Sequence, residues 1–226
     1  MRNVQIWGTL VAVEGISGTG KTYLTARALA KLGPDAPQQV DGFSERLGRP
    51  DLGSIIIGEL VSASAGDPFL RGGYLASETL LLLALQMHKY ETALSELRQG
   101  RNVIEGRGVH AVAVYQAVLH HPDDFGAARR HAREILALAG RWRPLPDRVI
   151  LIADDVESAL SRAEARDRRV FSAEEKRLHA LSARLFLDLA QSDPGCVRLL
   201  DRRDIEEDEA ISLLAPWLSL GQETMP

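Results

Sequence analysis

Residues 4–14 read "VQIWGTLVAVE", an almost unbroken run of apolar and β-branched side chains that ends at a glycine. A run this short, bounded by a turn residue, predicts a strand covered on both faces. The period then changes. "KTYLTARALAKLG" (21–33) carries apolar residues at helical spacing and stops at Gly33, which predicts a helix. The next stretch is loop-like, with a short strand expected around Gln39–Phe43 and a helix in "GSIIIGELVSASA" before the turn signal "GDP". A long helix is expected from Ala76 to Arg98; its "LLLLAL" is apolar all round, which predicts burial between neighbours.

Strand and helix alternate to the end of the chain. "RNVIEGRG" (101–108), "DRVILIADD" (147–155) and "GCVRLLD" (195–201) predict three further strands. Helices are expected in "VHAVAVYQAVLH", "FGAARRHAREILALAG", "VESALSRAEARDRR", "SAEEKRLHALSARLFLDLAQS" and "DEAISLLAPWLSL". Trp142, in the turn "RWRPLP" ahead of the third strong strand, is expected to plug a helix–strand corner. Strands separated by helices of ten or more residues need crossovers, so the class is α/β: three layers, about five parallel strands, helices on both faces. No repeat or long linker interrupts the 226 residues, and a single domain over 1–226 is expected.

Composition narrows the chemistry. The net charge of −4 and a pI near 5.9 give no global attraction to nucleic acid. One cysteine, Cys196, allows no internal disulfide and no cysteine cage for a metal. The adjacent His120 and His121 point to different sides of a helix, so a zinc site is not expected there. No run reaches the length of a membrane span, and "MRNVQIWGTLVAVEG" lacks a small-residue cleavage site, so no membrane partner and a cytoplasmic location are expected. Of 27 basic residues only Lys21, Lys31, Lys89 and Lys176 are lysines. Arginine's fork suits phosphate binding, but only particular arginines can carry that argument.

The turn after the first strand reads Gly15, Ile16, Ser17, Gly18, Thr19, Gly20, Lys21, Thr22. That is G-x-x-x-x-G-K-[ST] between a strand and a helix, the P-loop pattern in its required context. Its glycines let backbone N–H groups converge on phosphate oxygens at the positive end of a helix. Lys21 would then reach the β- and γ-phosphates of ATP and Thr22 would offer its hydroxyl to Mg²⁺, with Tyr23 completing the nucleotide contacts. The fold is therefore expected to be that of P-loop NTPases. At the end of the second strong strand Glu105 and Arg107 face the same crevice. A carboxylate there can hold Mg²⁺ or take a proton, and an arginine can clamp an anionic acceptor.

Glu14 to Thr22, and the order of the later motifs, resemble the thymidylate kinase family. That family opens with E-G-x-x-G-x-G-K-[ST]; its later Asp-Arg motif has Gly106-Arg107 in its place, with Tyr115-Gln116 beyond it. The resemblance implies ATP as donor, Arg107 on the acceptor phosphate and Tyr115 at the acceptor, with Gln86 at the acceptor in the place of the family's base-contacting arginine. It also implies an arginine lid over about 160–177, whose Arg162, Arg166 and Arg169, spaced to share one helix face, close over the transferring group beside Arg168. The acceptor side departs from the family: Ser17 stands where an aspartate is usual, and the Arg-Glu-Pro stretch is "FSERLGRP". Deoxynucleoside kinases, a related group, would use Glu105, Asp41 or Glu45, and Gln86 instead, since a hydroxyl acceptor needs a base. The expected activity is ATP-dependent phosphoryl transfer to a small molecule, a nucleoside monophosphate first, with a hydroxyl acceptor or a nucleotide-dependent regulatory protein as alternatives. Pairing of two copies through helices is a further expectation from kinases of this kind.

Overall fold

The computed structural model describes residues 7–40 and 51–219. Asp41 and Glu45, expected at the acceptor, lie outside the described residues. Among the described residues, five strands and eight α-helices run in the order β1 (Leu10–Glu14), α1 (Lys21–Leu32), β2 (Gln38–Val40), α2 (Leu52–Ala63), α3 (Leu75–Arg98), β3 (Val103–Gly106), α4 (Val109–His120), α5 (Phe125–Ala139), β4 (Arg148–Ala153), α6 (Val156–Asp167), α7 (Ala173–Ser192), β5 (Val197–Asp201) and α8 (Glu207–Ser219). A 3₁₀ turn, Gly33–Asp35, links α1 to β2.

The chain divides into two compact units. The first holds residues 1–39, 95–107 and 146–226, the second 40–94 and 108–145. The sheet order is β2-β3-β1-β4-β5. β1 runs parallel to β3 on one side and to β4 on the other, with Ala12 opposite Glu105 and Glu14 opposite Leu151, and β5 continues parallel beyond β4. All five residues of β1 are buried, as expected of a central strand covered on both faces. Its start is held by two side chains: Asn102 Oδ1 accepts from the Thr9 N–H and Asp147 from the Leu10 N–H, both at 2.8 Å.

Alternate residues of each strand point to opposite sides. Val11, Val13, Ile104, Ile150, Ile152 and Leu200 pack with Leu24 and Ala28 of α1 and with Ala210, Ile211, Leu214 and Leu218 of α8. Leu151, on the other side of the pleat, shares a lining with Ala183, Phe186 and Leu187 of α7. Each large side chain buried this way stabilises the unit by about 1.5–3 kcal/mol. Parallel strands end on one edge, and that edge is where the functional loops gather.

The second unit is helical. α4 buries nearly its whole circumference and packs on α5. Thr79 of α3 donates its hydroxyl to Gln116 Oε1 of α4 at 2.8 Å, and the Glu78 carboxylate takes the Gly72 and Tyr74 N–H groups.

Two expectations are corrected. The "LLLLAL" stretch is not buried all round: Leu83 and Leu85 are buried, but Leu80 is 59% and Leu81 42% exposed. A run of six apolar residues cannot show which side of a helix faces solvent. Trp142 is not a plug but stands 76% exposed, and Arg143 fills the corner instead. Its guanidinium lies 5.1 Å from the Tyr90 ring and donates to the carbonyls of Pro144 and Gln86. Those carbonyls and the aromatic face supply what a buried guanidinium needs.

Candidate active site

The loop between β1 and α1 is built from glycine where only glycine fits. Gly18 has φ +81°, and a Cβ on it would stand 1.8 Å from the Ala159 carbonyl of α6. Gly20 has φ +88°, and a Cβ there would stand 2.6 Å from a guanidinium nitrogen of Arg202. The helix beyond it has no acidic residue in its first turn and no side-chain cap on Gly20. α2, α5, α6 and α7 are each capped by an aspartate or serine side chain. The first N–H groups of α1 are thus left for an anion.

Lys21 folds back over the loop and donates its ammonium to the carbonyls of Gly15 at 2.8 Å and Ile16 at 2.6 Å. Burial pushes its pKa down from 10.5 to about 7; the charge of Arg107 adds to the drop, Glu14 opposes it, and Arg166 adds a smaller share. Cations gathered around a half-neutral lysine form a site that an anionic ligand would relieve. Thr22 is exposed at the second position of α1. Tyr23 is exposed too, but its hydroxyl donates to Glu207 of α8 at 2.7 Å, which directs the ring toward α8.

Glu105 is buried at 2% exposure, one residue short of the end of β3. Arg107 is exposed and takes a left-handed conformation, φ +52°. A non-glycine residue held there is uncommon and marks a position worth its strain.

The expected lid arginines separate into two groups. Arg162 and Arg166 lie on α6, one turn apart, and both reach the loop: Arg162 Nε donates to the Gly18 carbonyl at 2.9 Å and Arg166 to Ser17 Oγ at 3.1 Å. Arg169 does not share their helix face. Arg168 adopts φ +51° and closes α6, so Arg169 lies past the helix end and pairs with Glu175 at 2.5 Å. Arg166 also grips Asp167, and Arg162 pairs with Asp154. In the second unit Gln86 is buried and Tyr115 is half-buried, its ring edge-on to Phe69 at 5.8 Å.

Two side chains of this region were not singled out by sequence. His179 of α7 is buried edge-on to Phe171, ring centroids 5.1 Å apart. Burial holds its pKa down to about 4; Glu175 opposes, while Lys21, Arg107 and Arg169 add to the drop. Asp154, directly after β4, is the other. It is the first of two adjacent aspartates, and nothing local marks it for a role beside the loop. A cavity of about 200 Å³ opens on the β4 side of the loop, lined by Gly15, Ile16 and Thr19 with residues 151–156, Ala183, Phe186, Leu187, Asp201 and Arg203. Lys21 and Arg107 are not part of that lining.

A phosphate loop between the central strand and a helix, with its lysine folded over it, defines a class: the P-loop nucleotide-binding proteins. A thymidylate kinase of Bordetella petrii is 30% identical to this chain over 201 residues, covering 86% of it and 87% of that protein. The thymidylate kinase of Symbiobacterium thermophilum is 28% identical over 200 residues, 87% of each chain. The chain belongs to the thymidylate kinase family. Among solved structures, thymidylate kinase of Ehrlichia chaffeensis covers 95% of this chain with a TM-score of 0.61 at 18% identity. That of Candida albicans covers 92% with a TM-score of 0.64, also at 18% identity. At that identity the two establish the fold. No family model matches the chain.

Proposed function

We propose that this chain transfers the γ-phosphoryl group of ATP to the phosphate of a nucleoside monophosphate, thymidylate being the first acceptor to test. The observation that carries the proposal is Lys21 folded onto the Gly15 and Ile16 carbonyls with Arg166 reaching Ser17 of the same loop; burial first, then the charges of Arg107 and Arg166, lowers the pKa of the lysine. A phosphate acceptor arrives already anionic and needs positioning and charge neutralisation more than a base. In this scheme the loop N–H groups and Lys21 hold the donor phosphates, and Arg107 clamps the acceptor phosphate. Arg166 and Arg169 offset charge on the group in transfer.

The Thr22 hydroxyl and the Glu105 carboxylate offer the oxygen donors that a hard cation takes, which supports Mg²⁺ as cofactor. When bound, the ion would neutralise phosphate charge. Among the described residues no helix is long and apolar enough to cross a membrane. Work in the cytoplasm, where ATP is abundant, is part of the proposal. So is a homodimer, supported by the apolar side chains of Leu52, Ile55, Val61, Leu80 and Leu81 left exposed on α2 and the start of α3.

The test is ATP consumption by purified protein against a panel of nucleoside monophosphates and nucleosides, with Lys21→Ala beside it. Turnover should require a monophosphate and be lost in the variant. Turnover with nucleosides alone, or undiminished turnover in Lys21→Ala, would refute the proposal.

A further inference from the structure

Behind the phosphate loop, on the side of its carbonyls, two arginines from distant parts of the chain meet one aspartate. Arg162 of α6 donates Nε to the Gly18 carbonyl at 2.9 Å and pairs through Nη2 with Asp154. Arg202, the residue after β5, donates Nη1 to the next carbonyl, that of Thr19, at 3.0 Å and lies 3.9 Å from the same Asp154 oxygen. Asp154 itself is nearly enclosed, its side chain 9% exposed, and Arg202 is anchored by its own N–H on the Ala153 carbonyl at 2.9 Å.

A trans peptide is planar, with its C=O and N–H pointing in opposite directions. Holding the Gly18 carbonyl outward therefore turns the Thr19 N–H inward, and holding the Thr19 carbonyl does the same for Gly20. These are N–H groups of the loop that an anion would meet. We infer that Asp154, Arg162 and Arg202 form a brace that fixes the loop peptides in their anion-binding orientation before ATP arrives. Arg162 is thereby a positioning residue and not a group that touches the transferred phosphoryl. The inference rests on the proposed kinase activity, and it changes the role expected of Arg162.

The loop glycines serve the brace as well as the ligand. Any side chain at Gly18 would push α6 away, with Ala159 O at 1.8 Å and Ala163 N at 3.2 Å from its Cβ. One at Gly20 would displace Arg202. Both arms need room that only glycine leaves. Arg166, by contrast, meets a side-chain hydroxyl, Ser17 Oγ, and no loop carbonyl, so it stays outside the brace.

The experiment is calorimetric titration of ATP into wild type, Asp154→Asn, Arg162→Ala, Arg202→Gln and the double variant Asp154→Asn/Arg162→Ala, each checked for a cooperative melt. Losing a charge-assisted hydrogen bond should raise the dissociation constant for ATP about tenfold in each single variant. The double variant should be no weaker than the worse single one, because both changes remove the same arm. In steady state the KM for ATP should rise while kcat stays within about twofold. Asp154→Asn binding ATP as tightly as wild type, or Arg162→Ala losing only kcat, would overturn the brace. If Asp154→Asn fails to melt cooperatively, Arg202→Gln decides in its place, and wild-type affinity for ATP in that variant would overturn the brace equally. A wild-type chain that takes up no ATP at all would instead overturn the kinase proposal itself.

Discussion

ATP binding should draw a proton onto the protein, and the amount is set by Lys21. Burial and the charge of Arg107 hold the free lysine near a pKa of about 7, against Glu14 and with a smaller contribution from Arg166. A polyphosphate beside the ammonium reverses the Coulomb balance and returns the pKa toward its ordinary 10.5. At pH 8 the free lysine is protonated in about a tenth of the molecules and the bound one in nearly all, so uptake should be about 0.9 proton per ATP. At pH 6 the free lysine is already charged, and uptake falls to about 0.1 proton. By linkage, affinity should drop about tenfold for each pH unit between 8 and 9. Titration calorimetry in pairs of buffers with different ionisation enthalpies measures the protons directly, and Lys21→Met subtracts those that ATP itself exchanges. Arg107→Ala should lower the uptake at pH 8, since removing that charge lets the free lysine keep more of its proton. Uptake below about 0.2 proton at pH 8, or the same uptake in Lys21→Met, would refute the picture of a desolvated lysine waiting for an anion.

His179 has a folded pKa of about 4 against 6.5 for the free side chain, so the unfolded chain binds the proton first as acid is added. Its contribution to stability is lost as pH falls from about 6.5 to 4, roughly 3 kcal/mol at full extent; His179→Phe should flatten that part of a melting-temperature profile, and an unchanged profile would refute it. Arg107→Ala should raise the KM for a monophosphate acceptor about tenfold or more while leaving the KM for ATP within about twofold. An equal rise in both would move Arg107 to the donor side. If two copies pair through the exposed apolar residues of α2 and α3, Ile55→Glu with Leu80→Glu should halve the mass seen by light scattering; a monomeric wild type would end that proposal.

What could be read from sequence is what lies in short segments. The phosphate loop is eight consecutive residues, and the helix after it stands where the apolar period placed it, while the strand before it runs over Leu10–Glu14 and leaves residues 7–9 of the apolar run outside. The later strands and helices also start and end close to their punctuation, because glycines, prolines and capping side chains act locally. The misreadings arose where facing matters. In "LLLLAL" every position is apolar, so no period reveals that Leu80 and Leu81 look outward. In "RWRP" an arginine took the corner from a tryptophan because, beyond the adjacent Pro144 carbonyl, the Gln86 carbonyl and the Tyr90 ring receive its guanidinium, and those two lie far away in sequence. Arg169 left the α6 face because Arg168 closed the helix one residue early.

The two aspartates after β4 make the limit concrete. Asp155 takes the Ser158 N–H as the cap of α6, a role that its spacing to the helix announces. Asp154, one residue earlier, turns to Arg162 eight positions along and to Arg202 beyond the next strand. No local pattern points Asp154 to those arginines, yet the parallel topology does so in outline. β1, β3, β4 and β5 all end on one edge, so the first polar residues after each strand are delivered to the same place: the loop after β1, Arg107 after β3, Asp154 after β4, Arg202 after β5. Once a P-loop fixes which edge is functional, those strand-end residues are the ones to weigh, ahead of cations that merely share a helix face.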